Sequence, residues 1–535
     1  MQHRPTMIRV ASLFALRLVG AGPALAFDPA ASPRYASPDM YRPNVDDVLV
    51  RGGRAGATVD RLLSRRLIDM GRNVRDFGAV CDGATDNGPA FQRAFASGAR
   101  VVRYDLEGCA SHYLVNTTVT IPGGSSLVGP GDGTAYPLGI RTSAAVDTFV
   151  IEGGQWAILN TRIQHDGTSG MAINGGASSY GTISHNAILG NAAGNTSPLV
   201  RTVGSLVTAD QNSFTTNRVN AYSYVIDGPG VTAPIVHRML NNNFGGTGKG
   251  ISIGSTSGKA RPEGIYITSN HCFLKNTCLL VTSVNDLKSS NNTWDIGGEI
   301  QVGLLGSGQG IDLASFEGDY LSTFDTTHTP TARPKGVCML VSGPVSRLTV
   351  RSKFAYCGTG ISSTDGSSSK ITIGSVFLNV ARVALELRDV KGAMLTGNTC
   401  TSCFYNFKLA DGLSGGPYIL NDNQWDASGK VELSQTNPAN FRFGLGNTGI
   451  NLSGYSAATT GSMALGLTCV SIKIPHGLSG APNLDKTVIS ARVASGAMSA
   501  VSASPASVDA TNITAQVCGT VSVIGTVRVT ANASL

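Results

Sequence analysis

Asp295 and Glu317 are the acidic residues whose spacing first suggests chemistry. Each falls three residues after a member of a recurring set of small residues, Asn292 and Ala314 respectively. If that set marks the turns of a repeat, the two carboxylates sit on adjacent turns, facing outward, with backbones ~5 Å apart. Flexible side chains could then reach the ~5–9 Å separations at which carboxyl pairs hydrolyse glycosidic bonds. Mutual repulsion would raise one pKa and leave an acid beside a base. Asp319 and Glu299 lie nearby in sequence. The same positions also suit solvated outer residues or an ion site, for which calcium is a suitable occupant. A second group is Glu386 and Arg388, which alternate with apolar Val383, Leu385 and Leu387, with Lys408 in a similar place one turn later. Such a surface could bind and neutralise a uronate, as β-elimination requires. Asp365, Asp389 and Asp411 form a matching column, but Asp365 and Asp411 precede glycine, which points to turns. His165, His185 and His237 are scattered. Cys400 and Cys403 have zinc-like spacing without a second ligand pair. No cofactor site, Ser-His-Asp set or phosphate loop is evident.

The elements that must position these residues show in a repeat. A small polar residue, usually Asn, is followed two residues later by an apolar side chain at Asn186/Ile188, Asn212/Phe214, Asn242/Phe244, Asn270/Cys272 and Asn292/Trp294. Substituted anchors continue it at Ala314/Phe316, Ser352/Phe354 and Ser375/Phe377, before Asn398/Cys400 and Asn423/Trp425; a weaker copy begins at Asn160. Spacings of 22 to 30, with one of 38, mean one solenoid coil per repeat. Asn tolerates a left-handed turn, and stacked amides can bond along the axis. Eleven such coils, ~4.8 Å apart, would make a rod of roughly 50 Å. The long coil carries an insertion around Thr326–Pro334. The expected class is all-β: a parallel β-helix over 73–440.

The stretch Asn73-Val74-Arg75-Asp76-Phe77-Gly78-Ala79-Val80-Cys81-Asp82-Gly83-Ala84-Thr85-Asp86 leads into a helix with Pro89 in its first turn and Phe91 and Phe95 on one face. It resembles the entry segment of the pectate-lyase-like superfamily, V-x-D-F-G-A-x-G-D-G-x-T-D-D, with Cys81 for the usual Gly and Asn87 for the second Asp of the pair. That resemblance implies a right-handed single-stranded parallel β-helix, a capping helix over its open end, and action on carbohydrate. It also implies that Asp82 and Asp86 serve the turn and the cap. The polygalacturonase motifs of that superfamily are absent, and its calcium-dependent lyase pattern is not recognisable, so the resemblance supports fold and substrate class rather than reaction.

Only 14% of residues are charged, and the net charge of +7 arises largely before residue 76, so nucleic acid is not an expected partner. Arg4, Arg9, the apolar stretch Ala11–Ala26 and Ala24-Leu25-Ala26 read as an export signal over 1–26, and no other apolar run is long enough to span a membrane. A linker and neck helix are expected over 27–72, and a small β-sandwich over 455–535. Its Ile474-Pro475-His476-Gly477-Leu478-Ser479 resembles C-terminal modules of phage tail proteins. The ten cysteines fall as neighbours: Cys81/Cys109, Cys272/Cys278, Cys338/Cys357, Cys400/Cys403 and Cys469/Cys518. They suit an oxidising compartment or simply fill the core. These readings converge on a secreted, periplasmic or cell-surface polysaccharide depolymerase, either hydrolase or lyase. The alternatives are a homotrimeric prophage tail-spike-like protein and a non-catalytic adhesin.

Overall fold

The computed structural model describes residues 71–532 apart from 132–138, 177–179, 229–234, 255–260, 275, 296–298, 324–335, 364, 412–415, 436–440, 444–446, 449–455, 476–486 and 510–511. The export signal, the neck helix, the Thr326–Pro334 insertion and His476 lie outside the described residues. Parallel strands run from Arg72 to Phe443 in about 12 coils. A 25-stranded parallel sheet folds along a sharp bend into two faces, and a 13-stranded parallel sheet forms the third. One coil shows the plan. Glu263–Thr268 lies on the first face, His271–Leu274 on the second and Leu279–Val281 on the third. Each pairs with the next coil, through Ile265↔Leu287, Cys272↔Trp294 and Leu279↔Val302. Alternate residues point inward, so like positions stack in files. The second face contributes Ile188, Phe214, Phe244, Cys272, Trp294, Leu321, Phe354, Phe377 and Cys400, all within one buried core.

The bend between the first two faces is an asparagine ladder. The backbone N–H of Asn186 donates to Oδ1 of Asn212, whose N–H donates to Asn242, then to Asn270 and Asn292, at 2.8–3.0 Å. The left-handed residue is not the ladder Asn but the one before it: His185, Gln211, Asn241, Ser269 and Asn291 have φ of 54–56°. This refines the expected turn. The amide is held inside for its four-way bonding, and its neighbour takes the unfavourable backbone geometry. The ladder also moves the expected anchor of one coil. Asn292 donates to Asp319, and Trp294 stacks on Leu321, so Asp319/Leu321 is the repeat there, not Ala314/Phe316. Ala314 instead continues the inward file of Leu287 and Leu348 on the first face. A register break between Glu317 and Tyr320, with Gly318 at φ 71°, accounts for the shift. Likewise Thr161, not Asn160, begins the ladder.

At the entry, the helix Gly88–Ala96 buries Phe91 and Phe95. Asp86 accepts the N–H of Gly88 and of Asn116, while Asp82 closes its own turn through the N–H groups of Ala84 and Thr85. Both acids are thus occupied by backbone. Asn87 is buried and tied to Val80, Thr85 and Leu114. All five neighbouring cysteine pairs are disulfides. Two three-stranded antiparallel sheets between Ser456 and Asn532 enclose a separate core around Ile474, Val517 and Val529. No helix of the described residues is long and apolar enough to cross a membrane.

Candidate functional site

The register decides which candidate residues meet. Asp295 ends the strand Thr293–Asp295 on the second face, opposite Phe273 of the coil before. Glu317 stacks on Ser290 and faces Arg351, on the first face. The two carboxylates therefore sit on opposite sides of the bend and do not form the expected file. The cause is the displaced anchor: the residue three positions after the true ladder member of that coil is Ser322. Asp295 instead lies beside Tyr320, whose phenol pKa is raised by burial first and then by the Asp295 charge, and Lys353 lies 5.6 Å above the Tyr320 ring. Asp319 points inward as a ladder residue. Glu299 contributes a backbone carbonyl to Val337.

The second group assembles as a file on the outer side of the 13-stranded sheet. Leu385 and Leu387 point inward, and Glu386 stands opposite Lys408, which in turn stands opposite Glu432. The Lys408 ammonium pairs with the Glu432 carboxylate at 2.8 Å, and this bond raises the lysine pKa. Lys408 also sits 4.3 Å over the Tyr405 ring. Arg388, opposite Ala410, is exposed and forms no ion pair among the described residues. Glu432 and Tyr405 were not foreseen. A bulge between Tyr405 and Phe407 shifts the pairing there, so constant offsets from the anchors do not find them. Asp365 is a turn residue, accepting from Ser342 Oγ and the N–H groups of Gly343 and Ser367. Asp389 adopts a left-handed backbone at φ 55°.

His165 and His237 are structural. His165 is buried, with Nε2 against the Val146 carbonyl at 2.8 Å and Nδ1 accepting from Arg218 at 2.6 Å. His237 lies in the inward file between Val207 and Ile265. Arg218 is itself fully buried and donates to the carbonyls of Gly170, Ser197 and Pro198. Among the described residues no group of three His, Cys, Asp or Glu side chains converges as a metal centre.

Stacked parallel sheets of 25 and 13 strands, with an outward file on the smaller one, define the class as a parallel β-helix. No protein-family model matches the chain, and no curated protein sequence does. Solved structures do. The tailspike protein gp49 from Pseudomonas phage LKA1 is similar with a TM-score of 0.51 at 12% identity, over 86% of this chain and 99% of that one. A double mutant of the tailspike protein of E. coli bacteriophage HK620 is similar at 0.51 and 10% identity, over 88% and 95%. Another, in complex with a pentasaccharide, gives 0.50 and 11% over 88% and 95%. At these identities the likeness establishes the fold.

Proposed function

We propose that this protein is an exported polysaccharide depolymerase that engages an acidic glycan on the outer side of the 13-stranded sheet. The observation that carries this reading is the file Glu386–Lys408–Glu432 with Arg388 and Tyr405 beside it. Cations on a flat, exposed sheet suit sugar carboxylates, and an aromatic ring offers an apolar face to sugar C–H groups. Glu386 and Glu432 lie two coil steps apart, about 10 Å between backbones. Side chains leaning together bring the carboxyl groups into the ~6.5–9.5 Å range of inverting glycosidases. In that arrangement Glu432, positioned by the Lys408 ammonium, would be the base that activates water, and Glu386 the acid that protonates the leaving oxygen. For a uronate, Arg388 and Lys408 would instead neutralise the carboxylate so that a base can remove the C5 proton, and the C4–oxygen bond then breaks to leave a C4=C5 double bond.

A panel of bacterial capsular and extracellular polysaccharides tests this. New reducing ends alone indicate hydrolysis, and reducing ends with the ultraviolet absorbance of an unsaturated uronate indicate elimination. Glu386→Gln is expected to lower turnover at least 10²-fold. If it leaves turnover intact while Asp295→Asn removes it, the second face carries the chemistry. Binding without either product across the panel would favour an adhesin.

A second reading, a homotrimeric spike of prophage origin, is favoured by the likeness to tailspike proteins. Light scattering that gives a mass three times that of the chain supports it, and a strict monomer counts against it.

A further inference from the structure

A groove of about 410 Å³ lies where the second face turns into the third, lined by Asn379, Val380, Ser402, Phe404, Ser428 and Lys430 among others. We infer that this groove is a subsite for a non-reacting anionic sugar unit, next to the charged file. The inference rests on the reading of the rod as glycan-binding and names what a second site of that rod would hold. Three features support it. Phe404 is two-fifths exposed at the groove, a large apolar ring open to solvent beside polar neighbours. The Lys430 ammonium is held 4.7 Å over that ring and 5.8 Å over Tyr405, which fixes a cation at the rim. The walls supply amide and hydroxyl groups from Asn379, Ser402 and Ser428.

The groove is also preorganised. Asn379 and Ser402 hold left-handed backbones at φ 52° and 58°, in equivalent positions on successive coils. The Cys400–Cys403 disulfide clips the turn that carries Ser402. Asp426 anchors the other side, accepting from the N–H of Cys403 and from both the N–H and hydroxyl of Ser428. A site whose groups are already fixed loses little freedom on binding. An apolar ring, a cation over it and neutral hydrogen-bonding groups on successive coils match a sugar ring bearing a carboxylate. A neutral sugar would leave Lys430 without its partner, and a simple anion would not use Phe404.

Saturation-transfer difference NMR with glucuronate, galacturonate and glucose on the full chain tests the subsite. Transfer to ring protons of at least one uronate is expected, about tenfold stronger than to glucose. Phe404→Ala should remove it, and Lys430→Gln should bring the uronate to the level of glucose. No transfer from the wild type to either uronate overturns the inference, as does uronate transfer that stays at the wild-type level in either variant with unchanged circular dichroism. Glu386→Gln separates the two claims. It should keep the transfer while losing turnover, and a protein that shows the transfer pattern but cleaves nothing in the panel retains the subsite and loses the depolymerase reading.

Discussion

Asp319 occupies a ladder position that the five coils before it fill with asparagine. It accepts from the N–H and Nδ2 of Asn292, and from Ser289, whose hydroxyl stands in an inward file between Ile267 and Phe316. Burial pushes its carboxyl up to about 6, against the hydrogen bonds from Ser289 and Asn292 that favour the charged form. In the unfolded chain it titrates near 3.8. Between these values the folded state holds the extra proton, so stability falls as pH rises through the window, and the whole loss is present at neutrality. A shift of about two units corresponds to about 3 kcal/mol. Asp319→Asn is therefore expected to stabilise the rod by about 1–3 kcal/mol at pH 7 and by much less at pH 4, read from denaturant midpoints. An equal shift at both pH values would contradict this. Arg218 has the opposite sensitivity. Its buried guanidinium satisfies three carbonyls and His165, so Arg218→Met is expected to cost about 3–5 kcal/mol in thermal or chemical unfolding.

Adjacent asparagines at a single bend do different work. Asn242 accepts twice from Asn212 and donates to Ala209 and Asn270, all out of contact with water. Asn242→Gly should cost about 2–4 kcal/mol through unmet buried partners. Asn241, at φ 54° and exposed, should tolerate Gly with little change, because glycine adopts that backbone freely. Comparable losses at the two positions would contradict the division of roles. This bend also shows what was legible in advance. The buried amide and the inward side chain two residues later recur because each coil repeats one geometry, so the solenoid and its entry motif are readable from single residues. The coil of Asp319 was not, because a carboxylate stands for the amide and an extra bulge at Gly318 displaces Glu317 from Asp295. Glu386 and Lys408 were legible because strict alternation around Leu385 and Leu387 fixes their outward face. Lys430, Tyr405 and Glu432 were not, because their pairing depends on an irregularity that alternation does not encode.

Across the whole molecule, the ten cysteines form five bonds, and their separations rank what each can do. Cys469–Cys518 spans 49 residues and Cys400–Cys403 only three. Chain entropy makes the former worth about 4 kcal/mol. Replacing Cys469 and Cys518 by Ser together should lower the unfolding midpoint of the C-terminal sheets, visible in hydrogen exchange of residues 466–475, while leaving the coils protected. Equal loss of protection in both regions would show that the two fold as one unit. The coil plan reaches further, into how such a chain can change over generations. Residues 270–291 run from one ladder asparagine to the residue before the next, and Cys272 and Cys278 leave together with them. An in-frame loss of that stretch would set Asn292 on Asn242 and Trp294 on Phe244, with no orphaned thiol and no broken file. Rod length is thus a heritable quantity that can be shortened or lengthened by whole coils, letting the reach of the molecule diversify while the file of Glu386, Lys408 and Glu432 stays put.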